Sequence, residues 1–227
     1  MSIIFTDNYT VGADTNIDAY PSGSPDYTYN EGSGANIIVS GANDRAEIAD
    51  IGSNVMARIS DASIPTGDQE IIGNICRALA TSNGRIHMGA RWATSGTLTN
   101  GYYVLIDTNI VNEVRLFRLD NGTASSLAAT DQGFPNADQT VKMRVRVTGA
   151  GATVTVKYQI DTAAELTFND TNANRKTSGV PGVGGKRNGG AAAVFADDVT
   201  VDDLVVFNAA LFPRVSASYL APQPTQV

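Results

Sequence analysis

The residues able to do chemistry are few and scattered. His87 is the single histidine and Cys76 the single cysteine. A histidine becomes a general base only when folding brings it a nucleophile and an orienting acid. No Gly-x-Ser-x-Gly elbow is present. Zinc asks for several strong ligands, which one His and one Cys do not supply. Cys76 lies in an apolar run and reads as a small buried hydrophobe. Being alone, it excludes an intramolecular disulfide. Glycoside hydrolysis needs two carboxyl groups across one bond, yet Glu31, Glu47, Glu70, Glu113 and Glu165 are spread along the chain. The segment TSGVPGVGGKRNGG, residues 177–190, resembles a phosphate loop only superficially. Arg187 follows Lys186 where Ser or Thr is required, and Val180 replaces the leading glycine. The expectation is a chain without catalysis, in which residues 177–190 form a flexible loop.

Binding chemistry has more support. In Arg85–Trp92, Ile86, Met88, Ala90 and Trp92 alternate with Arg85, His87 and Arg91. Alternation of this kind marks a strand with one buried and one wet face. It places Trp92 in the core and Arg85, His87 and Arg91 on the open side. Tyr103 and Arg115 are expected on neighbouring strands in the same sense. An aromatic ring beside arginines can bind a sugar or a partner protein. The plain alternative is a solvated sheet face, with His87 as one of its polar residues.

The elements that must position these residues are strands. Val141, Met143, Val145 and Val147 alternate with Lys142, Arg144 and Arg146. Val154, Val156, Tyr158 and Ile160 repeat the pattern after a Gly-rich link, which makes a hairpin. A second hairpin runs from Glu113 through Asn121-Gly122 to Ala129, with Asn-Gly supplying the positive φ of a type I′ turn. Further strands are expected over 36–40, 54–60, 69–80, 85–93, 102–107 and 199–207. The chain has 227 residues, 42% of them hydrophobic, and 22 glycines. These values fit one large all-β domain. The net charge of −7 argues against a nucleic-acid partner, which would need a basic footprint. No stretch approaches the roughly 20 apolar residues of a membrane helix. The first residues lack the basic and apolar regions of a secretory signal, so folding in a cytoplasm is expected. The sequons at Asn8, Asn121 and Asn169 then read as chance matches.

The order of these features resembles the concanavalin A-like, laminin G-like jelly roll. Phe5-Thr6-Asp7-Asn8-Tyr9 is similar to its opening strand. Gly101–Ile106 followed by Val114–Arg118 and an Asn-Gly turn is similar to its central hairpins. Asp202–Val206 is similar to its last strand, which pairs beside the first. The resemblance covers residues 3–207 and implies a two-sheet antiparallel β-sandwich over 1–207, with an extended arm over 208–227. It implies a structural Ca²⁺ where first and last strands meet, held by Asp7 and Asp202, although calcium takes six to eight oxygens. The acidic pairs Asp197-Asp198 and Asp202-Asp203 could equally be turn caps. Hydrolases of this fold often carry Glu-x-Asp-x-x-Glu on one strand, and this chain has no such run.

Together these features imply a non-enzymatic bacteriophage virion protein. It would be a homo-oligomer on the particle, contacting other virion proteins and a cell-surface glycan through Arg85, His87, Arg91, Tyr103 and Arg115. The alternatives are a lectin-like carbohydrate-binding module of a bacterial protein, and a glycoside hydrolase. In the arm, Leu211, Phe212, Tyr219 and Leu220 offer apolar anchors stiffened by prolines, for docking on a neighbour or on the domain's own edge.

Overall fold

The computed structural model describes residues 3–7, 12–19, 27–31, 37–40, 45–48, 55–59, 67–77, 84–93, 100–107, 113–131, 139–187 and 200–208. Among them, sixteen strands and one short 3-10 turn, Ile17–Ala19, follow in order. The strands are β1 (Ile3–Asp7), β2 (Thr15–Asn16), β3 (Tyr27–Glu31), β4 (Ile37–Ser40), β5 (Arg45–Ile48), β6 (Val55–Ile59), β7 (Gln69–Arg77) and β8 (Gly84–Trp92). They continue with β9 (Asn100–Asp107), β10 (Glu113–Asp120), β11 (Thr123–Asp131), β12 (Gln139–Thr148), β13 (Val154–Ile160), β14 (Leu166–Asp170), β15 (Val180–Arg187) and β16 (Thr200–Asn208).

These strands make two antiparallel sheets. One runs β14-β13-β12-β7-β16-β5-β4-β2, with β1 paired to β16; the other runs β11-β10-β9-β8-β15-β6-β3. The expected pairing of first and last strands is present, with Asp7 opposite Leu204. The alternating residues meet between the sheets: Val141, Met143, Val145, Val147, Val154, Val156, Tyr158 and Ile160 from one, Ile86, Met88, Ala90, Val104, Ile106, Val114 and Leu116 from the other. That interleaving is why a period of two in the sequence becomes a closed core.

The loop expected over 177–190 is corrected. Val180–Arg187 is the interior strand β15, paired to β6 and β8. Its glycines mask the alternation because they have no side chains to show it; Val183 joins the core between the sheets, and Val180 is also buried. The arm beyond Asn208, with Leu211, Phe212, Tyr219 and Leu220, lies outside the described residues.

A polar network ties one end of the sandwich. The Tyr102 hydroxyl donates to Asp170 (2.7 Å), and Arg118 spans from both Asp170 oxygens (3.0 Å each) to Asp120 (2.8 Å). Lys176 pairs with Asp120 at 2.6 Å. Two cations and two carboxylates thus neutralise each other where β14 of one sheet meets β9 and β10 of the other. Burial pulls the Asp170 carboxyl upward, but Tyr102, the Asn172 N–H and Arg118 outweigh it and hold the group below its ordinary range.

Candidate functional site on the outer face of the seven-stranded sheet

Neighbouring strands β8, β9 and β10 set three rows of side chains on the face turned away from the core. Gly89 lies opposite Tyr103, and Tyr103 opposite Phe117. His87 lies opposite Leu105, and Leu105 opposite Arg115. Arg85 lies opposite Asp107, and Asp107 opposite Glu113. Directly opposed residues share a face, so Arg85, His87, Tyr103 and Arg115 are brought together as the sequence suggests.

Arg91 is not. Its φ of 55° breaks the strand, and the β8–β15 register slips beside it. The next residue therefore changes sides, as a bulge requires. Arg91 turns into the end of the sandwich, fully buried. There its guanidinium donates to the carbonyls of Gly67 (3.0 Å), Gly149 (2.7 Å) and Lys176 (2.8 Å) and to Asp68 (3.1 Å). Its own N–H donates to Gln69, whose amide donates to Gly179 O (2.6 Å). Arg91 is a structural clamp, and nothing of it is left for a ligand.

Trp92 makes the reverse crossing. It is fully buried, as the alternation implies, but its indole lies on the outer face of the sheet, where a Cβ on Gly89, Gly101 or Gly182 would collide with it. Its Nε1–H donates to Tyr102 O at 2.8 Å. With Met56, Tyr103, Leu105 and Leu119 it forms a second apolar cluster, and Phe117 packs against it.

The face is therefore less open than the sequence implies. His87 is 1% exposed and Tyr103 6%. His87 rests against Tyr103 with ring centroids 4.9 Å apart, and neither imidazole nitrogen has a hydrogen-bond partner. Burial, aided by the charge on Arg85, pushes its pKa down to about 3. What remains accessible is Phe117, Arg115 and Arg85, all half-buried. Phe117 stacks on Tyr103 at 5.1 Å and 14°. Arg115 grips Glu113 with two hydrogen bonds, Nε to Oε1 and Nη2 to Oε2, the second at 2.6 Å. Phe117 was missed by the sequence reading, although the alternation of Val114 and Leu116 with Arg115 and Phe117 carries its signal.

Asp7 and Asp202 sit on the paired strands β1 and β16, and their side chains lie outside the described residues. Among the described residues, no group of three or more His, Cys, Asp or Glu is placed to hold a metal ion. Two carboxylates do not amount to a calcium shell.

No protein-family model and no curated protein matches this sequence. Solved structures do match in shape. A Bacillus subtilis protein of unknown function with a galectin-like fold superposes with a TM-score of 0.59 at 11% identity, over 90% of this chain and 98% of that one. The Bacillus subtilis carbohydrate-binding module CBM66 gives 0.53 at 16% identity, over 78% and 91%. The carbohydrate recognition domain of Emp46p, in a potassium-bound form, gives 0.52 at 11% identity, over 80% and 88%. At these identities the likeness concerns the fold. Sheet order, first-to-last strand pairing and these superpositions agree that the chain has the concanavalin A-like jelly-roll fold.

Proposed function

We propose that the chain is a non-enzymatic glycan-binding module, with its sugar seated on Phe117 beside the Arg115–Glu113 pair. The carrying observation is this triad's arrangement on one sheet face. A pyranose presents an apolar C–H face to an aromatic ring and a rim of hydroxyls to polar groups. Phe117 is held in place by its stack on Tyr103 of the neighbouring strand. Arg115 supplies fixed donors and Glu113 acceptors, already locked together, so little side-chain entropy is lost on binding. Carbohydrate-binding proteins among the similar structures support the reading. Tyr103 and His87 then act as positioning residues beneath the sugar. Both Glu113 oxygens are engaged by Arg115, an arrangement suited to recognition rather than to proton transfer.

The same proposal sets the module on a bacteriophage particle, which copurification with capsids or tails tests. The resemblance further implies a structural Ca²⁺ at Asp7 and Asp202, where backbone carbonyls would have to complete the shell. If the ion is there, chelation lowers the melting temperature, because a ligand bound only to the native state stabilises it.

The deciding experiment is a glycan array followed by titration calorimetry on the best ligand. Phe117→Ala and Arg115→Ala are each expected to weaken binding about tenfold. Phe117→Ala also loses its stack on Tyr103 and lowers the melting temperature, so binding is compared where each variant is fully folded. Undiminished binding by the double variant would reject this site. Sugar release from polysaccharides would reject the non-enzymatic reading.

A further inference from the structure

The seven-stranded sheet ends in β11, and this edge is unlike the other sheet edges. Residues 123–130 read Thr-Ala-Ser-Ser-Leu-Ala-Ala-Thr, eight positions without charge or proline. Among the described residues, β11 pairs with β10 alone. Thr123, Ala124, Ser126 and Ala129 are exposed. An exposed edge is a row of unpaired N–H and C=O groups, which proteins usually blunt with charge, proline or shortness. The other edges follow that habit. β3 has five residues and ends in Glu31, β14 has five and ends in the buried Asp170, and β2 has two. β1, paired with β16 alone among the described residues, has five and ends in Asp7.

The β11 edge is nearly its own complement. Read antiparallel about a two-fold axis between Ser126 and Leu127, Thr123 meets Thr130, Ala124 meets Ala129 and Ser125 meets Ala128. Faces must also match for such a pairing. Ala124, Ser126 and Ala129 lie opposite Leu119, Phe117 and Arg115, so all three belong to the outer face. Ser125, Ala128 and Thr130 lie opposite Arg118, Leu116 and Val114, so they belong to the inner face. Ala124 and Ala129 are separated by an odd number of positions, and an unbroken strand would put them on opposite sides. The bulge at Leu127, where the register with β10 slips, brings them to the same side. At these three pairs outer residues meet outer, inner meet inner, and no like charges are opposed. At the axis Ser126 of one copy meets Leu127 of the other, an outer residue against one that packs on the core, so the ladder is interrupted there.

We propose that β11 pairs antiparallel with β11 of a second copy of this chain, fusing two seven-stranded sheets about a two-fold axis. Such an interface is isologous and closes at the dimer. The occupant is a second copy because the complementarity is with the edge's own sequence and its own bulge. Small side chains bury little apolar area, so backbone hydrogen bonds carry the contact and a weak dimer is expected. The two β10 strands would lie three strand spacings apart, roughly 14 Å. Both Phe117 rings would then sit on one continuous face. The dimer does not depend on the glycan reading, and its test uses no sugar.

The test is sedimentation velocity of the full chain over about a hundredfold range of concentration, bracketing the micromolar. Wild type is expected to pass from monomer to dimer. Ala124→Lys with Ala129→Lys opposes like charges at both pairs and should weaken the dimer at least about tenfold. Ala124→Lys with Ala129→Glu in one chain makes two opposite-charge pairs across the axis and should restore it. Should the double-lysine chain not fold, Ser126→Lys, which sets two lysines beside the axis, gives the same reading. A chain that stays monomeric throughout, or a dimer indifferent to the lysines, overturns the proposal. Failure of the Lys–Glu chain to recover overturns the register and the proposal with it.

Discussion

Three glycines and one indole share a single volume on the outer face, and their substitution should be costly in both directions. Gly89, Gly101 and Gly182 are small because Trp92 lies where their Cβ atoms would be. Gly89→Ala forces the ring away from strand β8 and is expected to cost about 1–3 kcal/mol. Trp92→Ala leaves the cavity instead, with an expected loss of about 3–5 kcal/mol. Urea denaturation of both variants measures these losses, and a wild-type midpoint for Gly89→Ala would show that the indole is not seated there. The same residues explain where the sequence reading stopped. Alternation counts side chains and assumes an unbroken strand. The positive φ at Arg91 is set by what receives it, the carbonyls of Gly67, Gly149 and Lys176. These partners are far from Arg91 in sequence, so no local pattern announces the crossing that sends Arg91 inward and Trp92 out.

At the scale of elements, legibility followed the side chains. The hairpins β10–β11 and β12–β13 were readable because their turns and alternation are local, and Asn121 and Gly122 do take the positive φ values of 47° and 80° that the Asn-Gly turn implies. Four of the five residues suggested for binding share one face because they ride on strands of this readable kind. The interior strand β15 was not readable, since Gly184 must pass Val55 O and Met56 while Gly185 passes Ile48. The join between the sheets was also hidden. Arg118 follows a strand pattern of Val114 and Leu116, and only the fold gives it Asp170 on the other sheet. Asp170→Ala leaves Arg118 largely buried beside Asp120 alone. The expected loss is about 3–5 kcal/mol, the cost of stranding one member of a buried pair. Tyr102→Phe removes a single hydrogen bond to the same carboxylate and should cost about 0.5–1.5 kcal/mol. Equal effects of the two substitutions would mean that the charge pair is not what joins the sheets there.

For the whole molecule, the buried imidazole makes stability depend on pH in a defined direction. His87 in the fold has its pKa pushed down to about 3 by burial and by Arg85. In the unfolded chain the ordinary value is about 6.5. Between these values the unfolded state binds one more proton than the native state, so stability rises with pH across that window. Stability present above about pH 6.5 is therefore lost as the pH falls, by up to about 1.4 kcal/mol per unit for this one group. Asp120 and Asp170, both held below the ordinary carboxylate range, add their own loss at still lower pH, in the same sense. The net charge of −7 works the other way on mild acidification, because neutralising it reduces self-repulsion. The two contributions separate in a variant. His87→Phe replaces one ring against Tyr103 with another and removes the titrating group. Its stability, followed by urea denaturation from pH 7.5 to 4.5, should fall much less steeply than wild type below pH 6.5. The two curves should converge in slope above that value. Parallel curves throughout would mean that His87 reaches solvent or a hydrogen-bond partner when it is protonated. The outer face would then be more open than its packing around Trp92 and Tyr103 implies.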